Sequence, residues 1–329
     1  MKTLNWKKHG RVYSPLHNST HTWRKEFAQA PSTLILKDRI RVYYSTRSAI
    51  EKHGQYTSYS SFLDVSLDDP SKVIYNHDEP ILPLGAIGSF DEHGIYPFSA
   101  IEHEGSVLGY YAGWHRCTSV PFNTAIGVCK SNDDGKTFKK LGTGPILSYS
   151  LEEPFVISGP KIRYFNNTFY LFYIAGNEWI LDNGKPEPVY KIRFATSSDG
   201  LKWDKANKSI IVDKLDKYEA QASPDVFFQN GQYHMVFCYR HGTDYRNGER
   251  GYRLGYAYSN DLITWHRNDD KLNFKLTSDD ETNENLANFD NESVSYPHIF
   301  HANGKTFMYY LGNGVGKTGF GLAELLGSF

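Results

Sequence analysis

Cysteine and methionine are scarce in this sequence, three of each in 329 residues. Cys117, Cys129 and Cys238 have no metal-ligand spacing, and an odd number gives no disulfide framework, so all three read as core thiols. A dominant charge is missing as well: 36 Lys and Arg stand against 37 Asp and Glu, the formal net charge is -1, and like charges form no long run. That balance argues against a nucleic-acid footprint and against a membrane-attracted surface, and leaves a small molecule as the expected partner. No 18-residue apolar stretch occurs, and the opening MKTLNWKKHG lacks the apolar core of a signal peptide. Neither a membrane span nor secretion is expected, and the default location is cytoplasmic. Without an EF-type loop, no metal is expected, and no cofactor either.

Aromatic residues, by contrast, reach 15%, with 24 Tyr and 20 Phe, a composition that favours strands. They fall into a repeat. One phrase occurs five times: a small or polar residue, Pro, a short strand, a turn with Gly or Asn, then an aromatic-rich strand. Its copies surround Pro31, Pro97, Pro160, Pro224 and Pro297, at spacings of 66, 63, 64 and 73 residues. Period-2 alternation on both sides of turns such as Asn230-Gly231 and Asn303-Gly304 predicts a hairpin in each copy.

A third strand follows in TAIGVCKS, KIRFATSS, RLGYAYSN and GFGLAEL. Phe138, Trp203 and Trp265, after the turns DDGKTF, SDGLKW and NDLITW, each open a fourth. The last copy ends before any such strand, and the N-terminal NWKKHGRVYSP resembles the missing piece, with Trp6 at its start. The predicted fold is therefore all-β, one domain over 1–329: a five-bladed β-propeller with four antiparallel strands per blade, its ring closed by the N-terminal strand.

In such a ring two stretches per repeat converge at one axial mouth: the residues before each repeat Pro and those after each second strand. Five positions before the Pro stand Glu26, Glu92, Glu219 and Glu292; the remaining copy has Phe155, with Glu153 two residues earlier. Asp91 adjoins Glu92. At the second stretch stand Arg47, then Trp114, His115 and Arg116, then Glu178 and Trp179, then Arg240 and His241, and finally Asn313. Carboxyl pairs, cations and flat aromatics are what glycoside chemistry requires. Glu178, Glu92, Asp91, Glu219 and Glu292 are the candidate acids and bases. Glu26, Arg47, Trp114, His115, Trp179, Arg240 and His241 are the candidate sugar-binding residues. Arg246 and Arg250, near Arg240 and His241, point to a charged sugar. His298, inside a first strand, reads as a core histidine.

The repeat phrase, the five blades and the DG-x-x-W turns resemble the five-bladed propeller glycosidases, which include arabinanases and xylosidases, invertases and mannoside phosphorylases. The resemblance implies a carbohydrate ligand. Arabinanases and xylosidases usually place an Asp before the first-blade Pro, another before the second, and a Glu in a Glu-Gly-Pro motif of the third. Here Ala30, Tyr96 and Ser158 stand at those places, and Gly94-Ile95-Tyr96-Pro97 replaces the Glu-Asp-Pro-Arg of the mannoside phosphorylases. Two functions are consistent with this pattern: a glycosidase whose acid and base have moved on the same face, or a propeller without catalysis that binds a sugar or sugar nucleotide.

Overall fold

The computed structural model describes residues 3–17, 21–51, 54–246, 248–278 and 286–329. β1 (Trp6–Tyr13) precedes the first meander, β2 (Glu26–Ile35), β3 (Arg39–Arg47), β4 (Ser58–Ser66) and β5 (Val73–Asn76). The second comprises β6 (Gly94–His103), β7 (Ser106–Arg116), β8 (Phe122–Ser131) and β9 (Lys139–Lys140), and the third β10 (Phe155–Phe165), β11 (Thr168–Asp182), β12 (Lys185–Ser197) and β13 (Asp204–Lys205). A fourth contains β14 (Ala220–Gln229), β15 (Gln232–Arg240), β16 (Arg253–Ser259) and β17 (His266–Arg267). β18 (Ser295–Ala302), β19 (Lys305–Leu311) and β20 (Phe320–Leu325) form the fifth, and β1 pairs antiparallel with β20 as its outermost strand. Each meander is thus a four-stranded sheet, the first two being joined through the single parallel pair Ser58 and Gly94.

The sheets stand side by side, and apolar residues fill the wedges between them. One cluster joins Tyr44 and Leu63 to Tyr309 and Leu322, another Tyr43 and Phe62 to Phe98 and Tyr111, and a third Tyr110 and Ile126 to Leu171 and Tyr173; the largest links the third, fourth and fifth sheets. First strands touch in the cyclic order β2, β6, β10, β14, β18 and back to β2. Aromatic residues that open the short fourth strands serve as the wedges: Phe138 lies 5.9 Å from Tyr43 of the preceding sheet, Trp203 5.8 Å from Tyr110 and Trp265 6.3 Å from Phe172. Tyrosine hydroxyls latch three of the sheets to the turn of the next, from Tyr43 to the Gly135 carbonyl (2.7 Å), Tyr110 to Gly200 (2.9 Å) and Tyr309 to Pro70 (2.7 Å). A Cβ at Gly135 would lie 2.1 Å from the Tyr43 hydroxyl, which explains the glycine of that turn.

Cys129 and Cys238 are buried as expected, whereas Cys117 is only half-buried. Among the described residues no helix is long and apolar enough to cross a membrane.

Candidate functional site

Every first strand carries the same irregularity at its repeat proline. Register shifts separate Gln29 from Ser32, Ile95 from Phe98, Ser158 from Lys161, Ala222 from Asp225 and Ser295 from His298. Ala30, Gly159, Ser223 and Tyr296, each directly before its proline, adopt left-handed backbone with φ of 50°, 65°, 52° and 49°. For the three non-glycine residues this conformation costs about 1–2 kcal/mol each, and bulges of this kind re-aim side chains beside binding sites. Here they turn the strand starts toward a common space. Tyr96, Ser223 and Tyr296 line a cavity of about 640 Å³, within the range of small-molecule sites.

Nine Phe, Tyr and Trp residues stand among those that line it. Trp114 packs on Phe122 (4.1 Å between centroids) and on Tyr96 (5.6 Å), and its indole N–H donates to the Tyr96 carbonyl. Tyr190 and Tyr252 share a hydroxyl hydrogen bond of 2.6 Å. Burial pushes the Tyr96 phenol up to about 12 and holds those of Tyr252 and Tyr296 well above the usual range.

The cavity's cations differ in how they are occupied. Arg240, 1% exposed, lies 3.6 Å over the Tyr245 ring and donates to the carbonyls of Pro188, His241 and Gly242 and to the Tyr252 hydroxyl. Arg246 meets Glu187 at 2.6 Å, while the second Glu187 oxygen accepts from Tyr245 at 2.9 Å. Arg116 pairs with Glu51 at 2.9 Å. The Arg47 side chain makes no hydrogen bond or ion pair among the described residues, and its guanidinium lies over Phe27 (4.5 Å), Tyr56 (5.3 Å) and Tyr96 (5.6 Å). Burial lowers the His115 pKa. Glu187 and Glu292 are the carboxylates among the described lining residues.

Of the twelve residues singled out from the sequence, Arg47, Trp114, His115, Arg240 and Glu292 line this cavity. The others do not. Asp91, 1% exposed, is held by Lys140 (2.6 Å), Tyr111 (3.0 Å) and Ser89 (3.0 Å). Glu219, 0% exposed, accepts from Arg267 (2.6 Å), Gln221 (2.9 Å) and the backbone N–H groups of Lys214 and Leu215. Glu92 accepts from the Gly88 N–H at 2.8 Å. Glu26 is turned to the Tyr56 hydroxyl (3.3 Å) and to Lys317 (3.9 Å). Glu178 is exposed on β11, Trp179 packs edge-on behind Phe122, and His241 lies 3.8 Å from Asp216. Asp91 and Glu219, expected as acids, stand in the structure as anchors do, with all their oxygens facing partners inside the fold.

Those anchors form a series that the sequence reading missed. Asp91, Glu153, Glu219 and Asp290, each ahead of a first strand, meet Lys140, Lys205, Arg267 and Lys8 of the same sheet's fourth strand, each at 2.6 Å. In the first sheet the polarity is reversed: Arg24 reaches the His77 carbonyl at 2.6 Å and Asp78 at 3.1 Å. The cation always stands two residues after the wedge aromatic, in Phe138-x-Lys140, Trp203-x-Lys205, Trp265-x-Arg267 and Trp6-x-Lys8. That spacing was the available signal.

One residue past the proline the first strands present a second, fully buried group. Asp225 lies 2.6 Å from His298 Nδ1, bonds Arg163 and lies 4.0 Å from Lys161. The Arg163 and Lys161 charges, with the His298 N–H, hold its carboxyl well below the usual range against the opposing effect of burial. His298 is thus buried, as expected. Among the described residues no group of three or more His, Cys, Asp or Glu could hold a metal ion.

No protein-family model matches the chain. Two uncharacterized proteins of Mycobacterium tuberculosis, Rv1502 of strain H37Rv and MT1551 of strain CDC 1551, are 31% identical to it over 323 residues, 98% of this chain and 99% of theirs. A β-1,2-mannobiose phosphorylase of Thermoanaerobacter is 29% identical over 136 residues, covering 38% of this chain and 43% of the phosphorylase. Among solved structures, a glycoside hydrolase superposes with a TM-score of 0.71 at 14% identity, over 98% of this chain and 92% of that one. A member of the GH130 mannoside phosphorylase family, described as containing hydrolases that target β-1,2 mannosidic linkages in Candida mannan, gives 0.69 at 14% identity, over 98% and 93%. At that identity the likeness is one of fold, and the fold is that of the propeller glycoside hydrolases.

Proposed function

Because the chain belongs to the family of the Mycobacterium tuberculosis proteins Rv1502 and MT1551 and has the fold of the propeller glycoside hydrolases, we propose that it is one five-bladed domain that acts on a carbohydrate held at its axis. The observation that carries this reading is the aromatic and cationic wall of the cavity. Trp114 offers a flat face for a sugar ring, and the Tyr190–Tyr252 hydroxyl pair keeps hydrogen-bonding capacity for its hydroxyl groups. The binding role is the better supported one. Two-carboxyl glycoside chemistry requires a proton donor and a second free carboxylate across the bond, yet both Glu187 oxygens are occupied by Arg246 and Tyr245.

Hydrolysis is the second reading, favoured by the presence of both Glu187 and Glu292 among the residues that line the cavity. Saturation-transfer NMR with a panel of monosaccharides and glycosides, mannosides included, tests the first reading, and product release from the glycosides tests the second. The expected result is binding that Trp114→Ala weakens by roughly five- to tenfold, with no turnover. Binding unchanged in Trp114→Ala would refute the assignment of this wall. Turnover abolished by Glu292→Gln would instead establish the hydrolase.

A further inference from the structure

The cations around the cavity are not equivalent, and the difference identifies what the ligand carries. Arg240, Arg246 and Arg116 each give guanidinium N–H groups to carbonyls or carboxylates of the protein. Arg47 does not. It is the last residue of β3, half-buried, with its Nε buried and without a hydrogen-bond partner among the described residues. Its cross-strand neighbour Glu26 could have neutralised it, but that carboxylate is directed to Tyr56 and Lys317. A guanidinium with five donors and no acceptor, partly withdrawn from water, is costly unless something else supplies the acceptor.

Arg47 is nevertheless held in place. Phe27, Tyr56 and Tyr96 surround it with their ring faces, an arrangement that orients the guanidinium plane without consuming its N–H groups. An oriented, unspent fork matches a carboxylate or a phosphoryl group, both of which it binds through two parallel hydrogen bonds. The sequence had pointed to Arg240, His241, Arg246 and Arg250 as the anion site, but Arg240 and Arg246 are occupied within the protein. Resting on the carbohydrate reading above, we propose that Arg47 is the anion-recognition residue of the cavity and that the ligand is a sugar bearing a carboxylate or a phosphoryl group.

The test pairs each neutral sugar with its charged forms: glucose, mannose and galactose against their uronic acids and their 1-phosphates, titrated calorimetrically into the full chain and into Arg47→Gln and Arg47→Lys. An anionic form is expected to bind at least about tenfold more tightly than its neutral parent, and Arg47→Gln to erase that difference by weakening the anionic form far more than the neutral parent. Arg47→Lys, which keeps the charge and loses the fork, should retain part of it. Preference for the uronic acid or for the 1-phosphate identifies which anion is read. Should neutral and charged forms bind alike, and Arg47→Gln alter neither, the anion assignment is overturned while the carbohydrate reading stands. If no sugar of the panel binds a folded chain, both fall together. An unchanged unfolding midpoint in both variants separates loss of recognition from loss of fold.

Discussion

Glu219 offers a direct contrast between an anchor and a catalyst. Its Oε1 accepts from Arg267 at 2.6 Å and Gln221 at 2.9 Å, its Oε2 from the backbone N–H groups of Lys214 (2.8 Å) and Leu215 (2.9 Å), and it is 0% exposed. Glu219→Gln keeps the shape but replaces one acceptor oxygen with an NH₂ group. Whichever way the amide is turned, that donor faces other donors, either Arg267 or the Lys214–Leu215 pair. Removing one partner of a buried ion pair costs about 3–5 kcal/mol. Arg267 keeps Asp269 at 3.0 Å, so the lower end applies, about 3 kcal/mol. With an unfolding entropy of about 2.1 cal/mol/K per residue over 329 residues, this corresponds to a fall of about 4 °C in Tm. Differential scanning calorimetry reads the shift, and sugar binding to the same variant should match wild type below the transition. A variant with wild-type Tm and lost binding or turnover would refute the anchor assignment and restore Glu219 to the site.

Two further outcomes test the axis and the closure of the ring. Thr33 donates its backbone N–H to His298 Nε2 at 2.9 Å, which leaves the ring proton on Nδ1 toward Asp225 at 2.6 Å. Burial then holds the His298 pKa down to about 4, so between about pH 6.5 and 4 the unfolded chain binds the extra proton; stability should fall as pH falls through that window, by up to about 3 kcal/mol. Urea midpoints of wild type and His298→Gln across the window should converge as the pH drops, and a difference that stays constant would refute the neutral-histidine assignment. At Gly319, where φ is 106°, a Cβ would lie 1.8 Å from the Tyr13 carbonyl oxygen, whereas at Gly327, with φ of 119°, it meets nothing within 4 Å. Gly319→Ala should therefore melt well below Gly327→Ala, and equal melting temperatures would refute the role given to the β1–β20 contact.

The architecture was legible because it is written repeatedly. Alternation around Asn230-Gly231 and Asn303-Gly304 marks the β14–β15 and β18–β19 hairpins, and the likeness of the Trp6 segment to the fourth strands placed β1 beside β20. The site was less legible, for a geometric reason. Bulges and loops of unequal length make counting from the proline unreliable: the anchors Asp91, Glu153, Glu219 and Asp290 stand six, seven, five and seven residues before their prolines. A fixed count of five therefore mixed one anchor, Glu219, with the less buried Glu26, Glu92 and Glu292. Arg47, Trp114, His115 and Arg240 were found because strands pair without bulges at the ends of β3, β7 and β15. Glu187 carried no signal, since the long β11–β12 hairpin that brings it to the cavity has no counterpart in the other repeats.

The residue before each repeat proline bears most directly on what the cavity does. In the resembled arabinanases and xylosidases, carboxylates occupy this position in the first two blades; in this chain the same bulge presents Tyr96, Ser223 and Tyr296 to the cavity. A carboxylate there could trade protons near neutral pH. Tyr96 and Tyr296 cannot, because burial moves Tyr96 up to about 12 and holds Tyr296 well above the usual range, so both remain protonated. A protonated phenol both donates and accepts a hydrogen bond, which suits a sugar hydroxyl and is of little use for activating water. At Tyr96 the bulge thus presents a phenol where the resembled family has a carboxylate, and at Ala30 it presents no polar side chain at all. This is why the binding role, with Arg47 reading the charge, accounts for more of the cavity than hydrolysis does.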